Sequence, residues 1–186
     1  MGTGRALIYS AIASLDGYVT DAEGRFDWAA PDAELHGFIN DLERPIGTYL
    51  YGRRMYETMA VWETMDDDAP EMRDYAELWR AADKVVYSTT LAQVTTSRTR
   101  LERAFKPDAI RALKADAASD ITIGGPGLAG HALAAGLVDE CHLFLHPVSV
   151  GGGTPALPVG MRVRFELSSE RRFASGAVHL RYRVIS

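Results

Sequence analysis

The stretch Asp120-Ile-Thr-Ile-Gly124-Gly125-Pro126-Gly127-Leu128 limits the possible folds more than any other part of the chain. Ile121 and Ile123 flank a threonine in a short β-branched run, the pattern of a buried strand. The run stops at two glycines, and an apolar pattern of helical character with Leu128, Leu133 and Leu137 follows at once. Glycine at such a junction lets the backbone turn sharply and lets a ligand approach with no Cβ in the way. Unpaired N–H groups opening the helix attract an anion, most often a phosphate or pyrophosphate. Pro126 suits the first helical turn, where its missing N–H would have no partner. The plain alternative is a tight strand-to-helix turn that binds nothing.

Gly125-x-Gly127-x-x-Gly130 also satisfies the dinucleotide fingerprint of a Rossmann domain. That fingerprint opens the first βαβ unit and is answered by an acid about 20 positions on, after the next strand. Here it lies two-thirds along the chain, and Asp139 and Glu140 precede the following strand instead of ending it. The phosphate cradle survives this test; the Rossmann reading weakens.

Elsewhere strand and helix patterns alternate. Arg5 to Ala13 reads as a central strand, and Asp16-Gly17 and Asp21 to Gly24 as turns. Pro31 opens a helix whose apolar face carries Leu35, Phe38, Ile39 and Leu42, ended by Pro45. Ile46 to Tyr51 and Lys84 to Thr90 read as strands, with a short helix over Tyr75 to Ala82 between them. Thr99 to Phe105 is extended, and Pro107 to Ala118 is a helix. Glu140 to Val150 forms a strand, and Gly151 to Pro155 a loop. Val163 to Phe173 and Ala177 to Ile185 alternate as a terminal antiparallel pair, with Val178, Leu180, Tyr182 and Val184 on one side. The sum is one α/β domain over 1–186, its sheet mostly parallel with an antiparallel edge.

Composition removes several classes of function. A net charge of −5 argues against a nucleic-acid groove or a membrane-surface patch. A single cysteine, Cys141, lies in an apolar run and reads as buried. No apolar run approaches the roughly 18 residues that span a bilayer, and Met1-Gly-Thr-Gly-Arg lacks a secretory h-region, so a cytoplasmic location is expected. Asp66-Asp67-Asp68 is read as a solvated loop rather than a metal site. His142 and His146 share a strand face, but spacing offers no third ligand, so no metal is expected.

Ligands of parallel sheets bind at the carboxyl ends of the strands. Three such exits stand out: Gly52-Arg53-Arg54, Ser88-Thr89-Thr90 and Gly124-Gly125-Pro126-Gly127. Arginine offers a phosphate a fork that lysine cannot match. Together they read as a polyphosphate site; singly, the arginines are ordinary surface and the hydroxyls an ordinary turn.

The ordered set Ser14-Leu-Asp16-Gly17, Leu50-Tyr-Gly52-Arg53-Arg54, Val85-Val-Tyr-Ser88-Thr89, Ile121-x-Ile-Gly124-Gly125, Leu137-Val-Asp139-Glu140 and Gly151-Gly-Gly-Thr154 resembles the dihydrofolate reductase superfamily. It is most similar to the branch represented by the reductase domain of bacterial riboflavin biosynthesis. The resemblance implies a dihydrofolate-reductase-like three-layer sandwich, with helices on both faces of the sheet, that binds NADPH. It implies that Gly52, Arg53 and Arg54 meet the phosphates, with Ser88 and Thr89 near the adenosine 2′-phosphate. Gly124, Gly125, Gly127 and Leu128 would cradle the pyrophosphate, Pro126 removing one donor, while Ala13 and Val19 flank the nicotinamide.

The expected activity is hydride transfer to a small planar nitrogen heterocycle, most like a ribosylamino-pyrimidine, with a pterin as the alternative substrate. In dihydrofolate reductases one acid on the first helix grips the pterin; here Asp32 and Glu34 are available, and Glu34 aligns better. Both acids also suit a helix dipole. Asp16 reads first as a residue holding the loop over the nicotinamide. Glu140 and Thr154 match pocket positions of the resembled family, and Trp28 stacks on the heterocycle or packs in the core. A homodimer is expected from the resemblance, and a binding module that has lost turnover stays open.

Overall fold

The computed structural model describes residues 5–185; the expectation about the first four residues lies outside them. Fifteen regular elements follow one another. They are β1 (Leu7–Ser14), β2 (Tyr18–Thr20), α1 (Ala33–Glu43), β3 (Ile46–Gly52), α2 (Arg53–Met59), α3 (Pro70–Ala81), β4 (Asp83–Tyr87) and β5 (Thr99–Glu102). Then come α4 (Pro107–Asp116), β6 (Asp120–Gly124), α5 (Pro126–Ala134), β7 (Glu140–His146), β8 (Thr154–Pro155), β9 (Arg164–Arg172) and β10 (Val178–Ile185). Eight strands form one sheet in the order β5-β4-β3-β6-β1-β7-β10-β9, parallel through β7 and antiparallel thereafter. β2 and β8 pair separately.

Alternate side chains of the central strands are buried on both faces, as a sheet covered by helices on each side requires. Leu7, Tyr9, Leu50, Val85, Ile121, Ile123 and Cys141 pack with Ile110 of α4 and with Leu128, Ala129, Ala132 and Leu133 of α5. On the opposite face Tyr49, Tyr51 and Val86 meet Tyr75 and Trp79 of α3, while Phe144 meets Leu35 of α1. Helix, sheet and helix make three layers, the expected sandwich. Burial pushes the Cys141 thiol up to about 12, so it packs as an inert apolar group.

Several boundaries differ from the expectation, each for a local reason. The fourth strand stops at Tyr87 because Ser88 Oγ accepts the N–H groups of Thr90 and Leu91, folding the chain into a turn. β7 stops at His146 because Pro147 has no N–H to give a ladder. The expected short helix begins five residues earlier, at Pro70. Thr154 and Pro155 form a short strand where a loop was expected. Along β10 the polar side is not outside: His179 is 2 % exposed, since Phe38 of α1 and Phe144 cover that face. β9 is the sheet edge, and Arg164, Glu166, Glu170, Arg171 and Arg172 make it a poor template for further strands.

Candidate active site

The carboxyl ends of β4, β3, β6 and β1 lie side by side on one edge of the sheet. Gly52 is in register with Tyr87, and Tyr51 with Gly124, so three chain segments far apart in sequence leave the sheet at one level. A Cβ on Gly52 would come to 4.0 Å from that of Leu128, which brings the starts of α2 and α5 together.

The glycines of the cradle have different tasks. Gly125 has φ +90°, a conformation that L side chains avoid, and it turns the chain from β6 into α5. Ala129 donates the first helical bond, to Gly125 at 3.0 Å, leaving the N–H groups of Gly127 and Leu128 without an intrahelical acceptor. Gly127 is exposed, and a Cβ there would meet nothing within 4 Å, so open space borders these donors. Gly124 differs: Tyr51 and Met55 come within 3.0 to 3.2 Å of where its Cβ would be. Its missing side chain makes room for protein, which corrects the expectation that it opens space for a ligand. Pro126 occupies the first helical turn.

Arg53 is exposed and reaches Thr90 Oγ1 at 3.3 Å, joining the β3 exit to the turn after β4. Arg54 and Thr89 are exposed on the same edge. Arg103 was absent from the sequence expectation; its guanidinium donates to the carbonyls of Ser88 (3.1 Å) and Leu91 (2.6 Å) and braces that turn. Nothing in the local pattern around Arg103 marks it. Free helix-start N–H groups, uncrowded space at Gly127 and two accessible guanidinium groups fit a phosphorylated dinucleotide.

Beyond β1 a second group of loops is clamped together. Asp16 accepts from Ser149 Oγ (2.9 Å), Val150 N (3.1 Å) and Gly151 N (2.8 Å). The Ser14 hydroxyl, followed by these N–H donors, holds its carboxyl well below the usual carboxylate range. Asp16 therefore ties the β1–β2 turn to the segment after β7. Thr20 and Thr154 hydroxyls meet at 3.0 Å where β2 pairs with β8. A Cβ on Gly153 would strike the carbonyls of Thr20 and Asp21, so only glycine closes this loop. Val19 is half-buried on β2, and Ala13 is fully buried.

The start of α1 lies at the same edge. Asp32 caps the helix, accepting from Leu35 N at 2.9 Å. Glu34 accepts the N–H of Ala174 at 3.0 Å and lies 3.5 Å from Arg171, tying the helix to the β9–β10 hairpin. Both acids thus already have protein partners. Trp28, in a 3-10 turn over Asp27–Ala29, meets His146 edge to face at 6.5 Å between ring centres.

Glu140 is elsewhere. It opens β7, whereas His146 closes that strand beside Ser14, so Glu140 lies roughly 20 Å away at the opposite edge. Arg181 grips it through two bonds of 2.8 and 2.9 Å, and His142 meets it at 3.2 Å. Burial works to raise its pKa, but these partners hold it below the usual range. A strand's first residue cannot face a pocket at the strand's last residue, which corrects the assignment of Glu140 to the substrate.

Among the described residues no three His, Cys, Asp or Glu side chains cluster as a metal site, and no helix is long and apolar enough to cross a membrane.

Comparison with known proteins agrees with this architecture. The uncharacterized protein YyaP of Bacillus subtilis (strain 168) is 28% identical over 180 residues, 96% of this chain and 94% of its own. The crystal structure of a putative riboflavin biosynthesis protein from Shewanella sp. PV-4 has a TM-score of 0.76 at 21% identity, covering 97% of this chain and 99% of that one. Dihydrofolate reductase from Enterococcus faecalis, complexed with NADP(H), has a TM-score of 0.63 at 13% identity, covering 97% of both chains. This chain therefore has the dihydrofolate-reductase-like fold. Residues 5–179 match the RibD C-terminal domain, and the chain belongs to that family of reductase-like domains.

Proposed function

We propose that this chain is an NADPH-dependent reductase that transfers a hydride to a small planar nitrogen heterocycle or its ribosyl-amine derivative, of the 5-amino-6-(5-phosphoribosylamino)uracil reductase type. One observation carries the reading: the exits of β4, β3 and β6 are neighbours, with open space beside the free N–H groups of Gly127 and Leu128. NADPH, when bound, supplies the hydride. The chain has to bring C4 of the nicotinamide against the reducible C=N of the substrate, exclude water and deliver a proton to the nitrogen of that bond as the hydride reaches its carbon.

Arg53 and Arg54 hold phosphate oxygens together with Gly52, Gly125, Gly127 and Leu128, and Ser88 and Thr89 face the 2′-phosphate. The backbone of Ala13 and the side chain of Val19 flank the nicotinamide, under loops fixed by Asp16. Trp28 and Thr154 border the heterocycle, and Glu34, with Asp32 as the alternative, delivers the proton.

A second reading, a nucleotide-binding module without turnover, is supported by the partners that Asp32 and Glu34 already have. Monitoring NADPH absorbance with the ribosylamino-pyrimidine or dihydrofolate, beside an NADPH titration, separates them. Oxidation of NADPH with the pyrimidine is expected. Oxidation with dihydrofolate alone changes the substrate, saturable binding with no oxidation favours the module, and no binding removes both readings.

A further inference from the structure

Two polar atoms at the sheet's carboxyl edge lack hydrogen-bond partners: Nε1 of Trp28 and Nε2 of His146. Each is buried, and His146 is only 8 % exposed as a residue. Buried polar groups almost always find partners, because leaving one unmade forfeits its hydration with no return. Here two lie together, their rings 6.5 Å apart, at the end of β7. His146 is in register with Ser14, at the exit of β1, and feels the charge of Asp32, the N-cap of α1. Its face of the strand is that of Phe144, toward α1. Ser14 does not satisfy the pair: its Oγ accepts the N–H of Tyr18 at 3.0 Å and its hydroxyl is turned to Asp16.

We propose that His146 and Trp28 are specificity-determining residues that read a lactam edge of the substrate, a ring carbonyl beside a ring N–H. The inference rests on the reductase function proposed above and adds a recognition element to it. Indole Nε1–H can only donate, and it takes the carbonyl oxygen. An imidazole with its proton on Nδ1 presents Nε2 as an acceptor for the adjacent ring N–H. Burial suits this role: it disfavours the charged form of His146, against the pull of the Asp32 carboxylate. Neither atom touches solvent in the free chain, so substrate binding shifts the Asp27–Ala29 turn that carries Trp28.

The pair makes a prediction that a packing role does not. Trp28→Phe keeps an aromatic ring and deletes the orphaned donor, so it is expected to raise Tm while raising KM for a uracil-type substrate about tenfold. His146→Leu should do the same, and NADPH affinity should stay unchanged in both. A readout independent of turnover is the imidazole nitrogen spectrum: adding 5,6-diaminouracil to the wild-type chain should shift Nε2 of His146 and quench fluorescence that the Trp28→Phe variant lacks. Wild-type turnover with unaltered KM in both variants, or no shift at His146 on saturation with the pyrimidine, overturns this inference and leaves the reductase reading standing. A wild-type chain that neither binds nor reduces any planar heterocycle overturns both. Variants that lose Tm along with KM overturn it too, since the side chains would then be structural.

Discussion

Glu34 accepts the N–H of Ala174 at 3.0 Å, joining the first turn of α1 to the hairpin between β9 and β10. The function proposed above gives the same carboxylate the proton transfer, so its structural bond and that role can be tested together. Glu34→Gln keeps an acceptor for Ala174 but loses the acid. Turnover should fall by about 10² to 10⁴, the usual worth of a general acid, with NADPH affinity intact and Tm nearly unmoved because the Arg171 pair is exposed. An unchanged rate would transfer the role to Asp32 or to water. Steady-state kinetics beside a cofactor titration decides.

The cradle is best tested at Gly127. A Cβ there meets no protein atom within 4 Å, so Gly127→Val should fold and weaken NADPH binding by more than tenfold, by filling the space beside the free N–H groups. Gly125→Val is a poorer test, since φ +90° makes it a folding defect as well. Calorimetric titration of the Gly127 variant at wild-type affinity would refute the cradle.

Arg53→Ala combined with Arg54→Ala addresses the phosphates. Each lost charged hydrogen bond should cost about 1.5–3 kcal/mol, and the loss should be greater for NADPH than for NADH if a guanidinium meets the 2′-phosphate. Equal losses for the two cofactors would place both arginines on the shared pyrophosphate instead.

Far from the site, Glu43 ends α1 with Oε2 buried and unpartnered, beside Tyr49 and a small cavity lined by Ser10, Thr122 and His142. Burial raises its pKa from 4.5 to about 7, opposed by the Tyr49 hydroxyl. The folded chain therefore holds this proton more tightly than the unfolded one. The stability tied to that proton is complete below pH 4.5, is lost as pH rises to about 7 and stays lost above it. The change amounts to about 3 kcal/mol at most. Glu43→Gln should remove this slope, which denaturant melts at several pH values would reveal; a variant with the wild-type slope would mean that Glu43 ionises freely in the native state.

Much of the fold was legible because the signals are local. Pro107 and Pro126 open helices, Gly125 turns a strand into one, and β-branched runs mark β6 and β4. Strand ends were less legible where a side chain captured the backbone, as Ser88 does. At the site, the three exits were readable as candidates, but the resemblance implied for Glu140 a pocket position that its place at the start of β7 forbids. Arg103 carried no pattern, and the spacing of His142 and His146 showed only a shared strand face, since the surroundings of both Arg103 and His146 come from distant segments.

The amino-acid order by itself determined the alternation of strands and helices, the turn conformations that only glycine adopts, and the family resemblance. These depend on neighbours a few residues apart, where periodicity and backbone sterics act. Tertiary structure alone decided that β4, β3 and β6 lie side by side, that the Gly124 gap is filled by Tyr51 and Met55, and that Trp28 meets His146. Those outcomes follow from which buried faces pack together across the whole chain, and no local window contains that information.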